Sequence, residues 1–200
     1  MKLIGLAGGI ASGKTMITDY LMSLGAPVVD ADIVSHRITE PGSPVLREIA
    51  EAFGEDCLDE NGHLRRKALG RIIFNDAESR LRLNQIMHPK ISAAIREEIE
   101  GYEAAGEPAV IYSAPLLLEG EGKGMTDIVW LVAIDPAEQM RRLMARDGIG
   151  ADEAAKRLRA QSSLEEKLAK ADKVIDNNGS RKAAKAQAKA LWEEIRGFQA

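Results

Sequence analysis

A chain of 200 residues, 45% hydrophobic and 29% charged, is long enough to bury a sizeable core and too ordinary in composition to be disordered or fibrous. Its net charge of −4 and pI near 5.5 exclude a broad face that tracks nucleic acid, which needs an excess of Lys and Arg. The single Cys57 excludes an internal disulfide and suits a reducing, cytoplasmic setting. The elements then follow in chain order. Leu3 to Ala7 is a compact apolar run that enters glycines, and Ile17, Tyr20, Leu21 and Leu24 recur at helical spacing behind it, which predicts strand, loop, helix. Gly25 and Pro27 stop that helix before Val28 and Val29, a short buried strand ending at Asp30.

Between Asp32 and Pro108 only helical patterns occur, among them Ile91, Ile95, Ile99 and Tyr102, with a helix start at Ser43 and Pro44. Ala109 to Tyr112, Ile128 to Ile134 and Lys173 to Ile175 are three more strand-like runs bounded by turn residues. Pro136 opens a helix carrying Met140, Leu143 and Met144; Gly148 and Gly150 interrupt it, and Ala151 to Gln161 resumes. A last helix starts at Ser180, with Ala184, Ala188, Leu191 and Ile195 on one face. Five strands alternating with helices predict a three-layer α/β fold around a parallel sheet. A nucleotide-binding core is expected over about 1–32, 108–136 and 168–200, a helical insertion over about 33–107 and a lid over about 137–167. No run approaches the roughly 18 apolar residues of a membrane span, so neither a membrane nor nucleic acid is expected as a partner, and nothing marks an obligatory protein partner.

Chemistry first becomes legible at Gly8, Gly9, Ile10, Ala11, Ser12, Gly13, Lys14 and Thr15, which match G-x-x-x-x-G-K-[ST] between a strand and a helix. Glycines let backbone N–H groups curl round phosphate oxygens, and the following helix turns its positive end toward the anion. Lys14 adds a full charge for the β- and γ-phosphates of ATP, and the Thr15 hydroxyl suits the Mg²⁺ that bridges them. The dinucleotide fingerprint G-x-G-x-x-G is absent from this turn, and the chain has no N-K-x-D guanine motif. Asp30 and Asp32 follow the second strand directly. In an extended segment both carboxylates would face one side, one able to accept the proton of an acceptor hydroxyl and the other to order the Mg²⁺ shell. His88 before Pro89 is a candidate partner for an acceptor or a carboxylate, or a helix end beside a proline break. Leu116 and Leu117 either line an acceptor pocket or belong to the core, and Glu119 is the stronger acceptor candidate.

The loop, the Asp30, Ala31, Asp32 triplet with His36, the His88–Pro89 pair and Pro115, Leu116, Leu117, Leu118, Glu119 together resemble the dephospho-CoA kinase family. Arg146–Asp147, Arg157 with Gln161, and Asp176, Asn177, Asn178, Gly179 continue the resemblance in order, over nearly the whole chain. It implies transfer of phosphate from ATP to the ribose 3′-hydroxyl of dephospho-CoA, the last step of coenzyme A synthesis. It implies strand order 2-3-1-4-5, an acceptor-binding helical insertion and a moving lid. Asp32 would be the base, His36 and the His88 region would meet the acceptor, Arg142 and Arg146 would meet the ATP phosphates, and Asn177 would lie near the adenine. The chain departs from the family pattern at Ser113, where an acidic residue is frequent, and at Leu118, where an aromatic is.

Overall fold

The structure, a computed structural model, describes residues 1–115, 117–119 and 124–197; the side chain of Asn75 is also outside the description. The described chain divides into two compact units, one formed by Met1–Asp30 with Tyr102–Ala200 and the other by Ala31–Gly101.

The first unit is built on five parallel strands, β1 (Lys2–Gly8), β2 (Val28–Asp30), β3 (Ala109–Ser113), β4 (Ile128–Ala133) and β5 (Lys173–Asp176). They lie in the order β2-β3-β1-β4-β5, as the resemblance implies. β1 is central because it is apolar on both faces: Ile4 and Leu6 are fully buried on one and Ala7 is buried on the other, and its register places Ile4 opposite Ile111 in one neighbouring strand and Ile128 in the other. Helices α1 (Lys14–Ser23) and α9 (Arg181–Gly197) bring Ile17, Leu21, Ala184, Ala188 and Trp192 onto Ile4, Leu6, Trp130 and Ile175. The alanine spacing of α9 lets the helix approach the sheet closely, while Trp192 fills the remaining volume. Each of these large side chains contributes about 1.5–3 kcal/mol when fully buried.

Three helices complete this unit: α6 (Pro136–Asp147), α7 (Ala151–Arg159) and α8 (Leu164–Lys170). α6 begins where Asp135 accepts from the Ala137 amide with Pro136 in the first turn, and it ends at Gly148 in the left-handed conformation. A reciprocal capping box between Ser163 and Glu166 starts α8.

The second unit holds α2 (Ala31–Arg37), α3 (Pro44–Phe53), α4 (Arg66–Asn75) and most of α5 (Ala77–Ala104). Ser43 caps α3 through the Leu46 amide, as its Ser-Pro start predicts. Val45, Ile49, Cys57 and Leu69 form its core, with Phe53, Leu83, Ile86 and Met87 packed around them. Two sequence expectations change here. Asp32 is not extended: the helix begins at Ala31, so Asp32 sits in the first turn of α2, where a carboxylate is favoured by the positive helix end. The strand is three residues long, and the alternation invoked for the two aspartates stops with it. Nor does Pro89 end a helix; α5 continues through it for 28 residues.

Candidate active site

The turn between β1 and α1 is shaped by two left-handed residues, Ala11 (φ 57°) and Gly13 (φ 92°). For Ala11 that conformation stores backbone strain of about 1–3 kcal/mol, and the loop is braced accordingly. Ser12 N–H donates to Gly9 O at 3.0 Å. Gln139 of α6 donates to Ile10 O at 2.7 Å, and Gln161 accepts from Ile10 N–H at 2.9 Å. Asn177 donates to Ser12 O at 2.7 Å while its own amide bonds Ala133 O at 2.9 Å. Gly13 has no room for a side chain, since a Cβ there would come 2.3 Å from Asn177 Nδ2.

At the start of α1 no side chain caps the helix. Among the described residues the Lys14 and Thr15 amides donate to no protein acceptor, which leaves the positive helix end to an anion.

The Lys14 ammonium turns toward the ends of β2 and β3. It donates to Ser113 Oγ at 2.5 Å, Ser113 donates to Asp30 Oδ2 at 2.7 Å, and the ammonium stands 3.7 Å from that carboxylate oxygen. The parallel register sets this cluster, because Asp30 and Ser113 are cross-strand partners. Next to it, burial and the Asp30 charge push the Tyr112 hydroxyl above its usual range.

α6 and α7 carry paired charges. Glu138 accepts from Arg141 and Arg142, and those hydrogen bonds bring its carboxyl down to about 2. Arg142 also donates to Asn177 O at 3.0 Å. Arg146 and Arg157 both hold Asp147, whose carboxyl is lowered chiefly by the Arg146 bond.

Of the residues expected at the site, the loop, Lys14, Asp30, Arg142 and Asn177 are brought together in this unit. Asn177, expected beside a base, is buried and gives its amide to the loop. Arg146 is exposed on α6 and paired with Asp147. Glu119 accepts from Ser162 N–H and faces Lys167 at 3.2 Å, and Leu117 is a buried core residue at 1% exposure. Leu116 lies outside the described residues. Asp32, His36 and His88 belong to the other unit, His36 near the end of α2 and His88 midway along α5, both exposed.

Sequence reasoning missed Ser113 as a partner of Lys14, Gln139 as a loop brace, and Lys167. Ser113 was findable from the pairing of β2 with β3. Lys167 left no signal, since it stands in a charged run that reads as a solvated face. Among the described residues no three His, Cys, Asp or Glu side chains cluster to hold a metal, and no helix is long and apolar enough to cross a membrane.

The model of the dephospho-CoA kinase family matches residues 2–183. A dephospho-CoA kinase of Shouchella clausii is 46% identical over 178 residues, which cover 89% of this chain and 90% of the relative. The solved structure of TT1252 from Thermus thermophilus superposes with a TM-score of 0.81 at 35% identity, covering 96% of this chain and 97% of that one. The dephospho-CoA kinase from Campylobacter jejuni does so with a TM-score of 0.77 at 29% identity over the full length of both chains. Family motif, strand order and phosphate loop therefore agree, and the chain belongs to the dephospho-CoA kinase family, enzymes that phosphorylate dephospho-CoA with ATP in the last step of coenzyme A biosynthesis.

Proposed function

We propose that the chain transfers the γ-phosphoryl group of ATP to the ribose 3′-hydroxyl of dephospho-CoA. The observation that carries this reading is the uncapped loop-to-helix turn with the Lys14 ammonium beside Asp30 and Ser113 at the ends of β2 and β3. Loop amides and the end of α1 bind the polyphosphate, and Lys14 leaves Ser113 to meet the β- and γ-oxygens. Ser113 keeps donating its hydroxyl hydrogen bond to Asp30, so that carboxylate retains a partner when the ammonium moves.

Phosphoryl transfer through a loose transition state asks mainly for position and charge stabilisation. Asp32 orients the acceptor hydroxyl and takes its proton late in the reaction, and Arg146, with Arg142, leaves its carboxylate partner for the transferring group as α6 and α7 close, acting as a lid over about 137–167. The helices over about 33–107 receive the acceptor, with His36, His88 and Glu119 among its contacts.

Thr15 and Asp30 offer the hard oxygen donors that suit Mg²⁺. An ion bound there would be held largely by phosphates and water. When bound, the ion neutralises charge on the β- and γ-oxygens.

Purified protein should release ADP from ATP only when dephospho-CoA is present, with a product heavier by one phosphoryl group and located at the 3′ position. Turnover on a different acceptor with none on dephospho-CoA would overturn the assignment.

A further inference from the structure

The phosphate loop has one lysine of its own, and a second one stands beside it. Lys167 of α8 is 7% exposed although it carries a charge. Its ammonium donates to Ser162 O at 2.8 Å and meets Glu119 Oε1 at 3.2 Å. Glu119 uses the same oxygen to accept from Ser162 N–H at 3.2 Å, so one carboxylate fixes both the ammonium and the chain segment before it. An ammonium has three N–H groups, and these contacts use two. The Nζ lies 3.5 Å from the position a Gly9 Cβ would take, and Gln139 Nε2 and Gln161 Oε1 converge on the same point at 2.6 and 3.3 Å. Three polar side-chain ends therefore crowd the second residue of the phosphate loop, and only one of them is charged.

Burying an ammonium opposes folding unless the group is paired and used, and a buried ion pair is weak evidence of a stabilising role, because an apolar residue of similar size would fill the space at less cost. What distinguishes this ammonium is its address. The N-terminal end of α1 faces the inner phosphates of a bound triphosphate. Gly9 and Ile10 occupy the other end of the loop, the end left for the outer phosphate of a triphosphate so bound, and there Gln161 covers the Ile10 amide.

We propose that Lys167 is a second phosphate-directed cation: its ammonium, positioned by Glu119 at Gly9, binds the terminal phosphate of ATP and stabilises the charge on the group being transferred. This deepens the proposed function and rests on the loop binding ATP. Lys14 and Lys167 then approach the outer phosphate from two parts of the chain, and the Gln161 carbonyl gives the Ile10 amide up to it. A low-dielectric setting strengthens each attraction.

The test compares Lys167→Met and Lys167→Arg with the wild type. Calorimetry gives the affinities for ADP and for a non-hydrolysable ATP analogue, steady-state kinetics give kcat and KM, and thermal melts report the fold. Expected for Lys167→Met is ADP affinity within about threefold of wild type, analogue affinity about tenfold weaker, and kcat about a hundredfold lower, the scale of a lost charge-stabilising group. Lys167→Arg should recover most of the preference for triphosphate. The proposal is overturned if Lys167→Met keeps wild-type analogue affinity and kcat, or if both nucleotides weaken equally and in step with a lowered Tm, which marks a purely structural ion pair.

Should Lys167→Met fail to fold, Glu119→Ala decides, because it keeps the ammonium and removes the carboxylate that tethers it. Preferential weakening of the analogue supports the proposal, and equal weakening of both nucleotides overturns it. A wild-type protein that binds neither nucleotide removes the ATP reading itself, a failure distinct from a bound wild type with an indifferent Lys167.

Discussion

At the scale of the residue, the site depends on side chains that no close isostere replaces. Asp32 stands in the first turn of α2, and its proposed duty needs a carboxylate rather than a hydrogen-bonding amide of the same shape. Asp32→Asn should leave ATP affinity within about twofold of wild type while kcat falls about a hundredfold or more, the usual loss for an acid–base group. Wild-type turnover in that variant would move the base elsewhere. Gly13 carries a different demand, because its φ of 92° and the approach of Asn177 both require a hydrogen in place of a side chain. Gly13→Ala adds about 1–2 kcal/mol of left-handed strain and pushes Asn177 off Ser12 O. The expected result is a Tm lower by about 2–8 °C with nucleotide binding lost in calorimetry, and an unchanged affinity would show that Asn177 does not brace the loop.

Elements obey sequence rules where one local device decides them. Ser43-Pro44 starts α3 and Asp135-Pro136 starts α6 because cap and fixed φ act within a few residues. The phosphate loop was legible for the same reason, as its glycines and the β1–α1 junction are contiguous. α5 shows where the local rule loses. Pro89 has no N–H for Gln85 O and its ring crowds that carbonyl, a defect of about 3 kcal/mol in a helix interior, yet the helix continues because Leu83, Ile86 and Met87 are already packed on the unit's core. Pro89→Ala should raise the urea unfolding midpoint by an amount equivalent to about 1–3 kcal/mol; a midpoint that stays or falls would mean that the proline ring itself supports the packing.

Asp32 is the reverse case. Alternation was the right rule for a strand, but the strand ended at Asp30, and where a three-residue strand stops depends on its β3 partner. The Lys167 cluster was invisible for a related reason: Glu119 and Gly9 are distant from Lys167 in sequence, and only the folded unit brings them to its ammonium.

Across the whole molecule, the shifted carboxylates point one way. Asp59 is lowered chiefly by the His63 amide, Asp76 by the Ser79 hydroxyl, Glu138 by Arg141 and Arg142, Asp147 by Arg146, and Glu166 by its Ser163 capping partner. Each therefore holds fewer protons folded than unfolded at acid pH, so stability rises with pH across that range. The contribution is fully present above the unfolded carboxylate values near 4 and is lost as pH falls through the folded ones, which for Glu138 means about 2. These groups are solvent-facing, so salt should shrink the effect. Thermal melts between pH 6 and pH 2 should show a Tm nearly flat down to about pH 5 and falling below it. Glu138→Gln should flatten the most acidic part of that curve, because it removes a carboxylate that titrates at about 2 while leaving Arg142 on Asn177 O. A melt curve that declines identically in wild type and Glu138→Gln would assign the acid sensitivity to the remaining four carboxylates and take the Glu138 ion pairs out of the stability of α6.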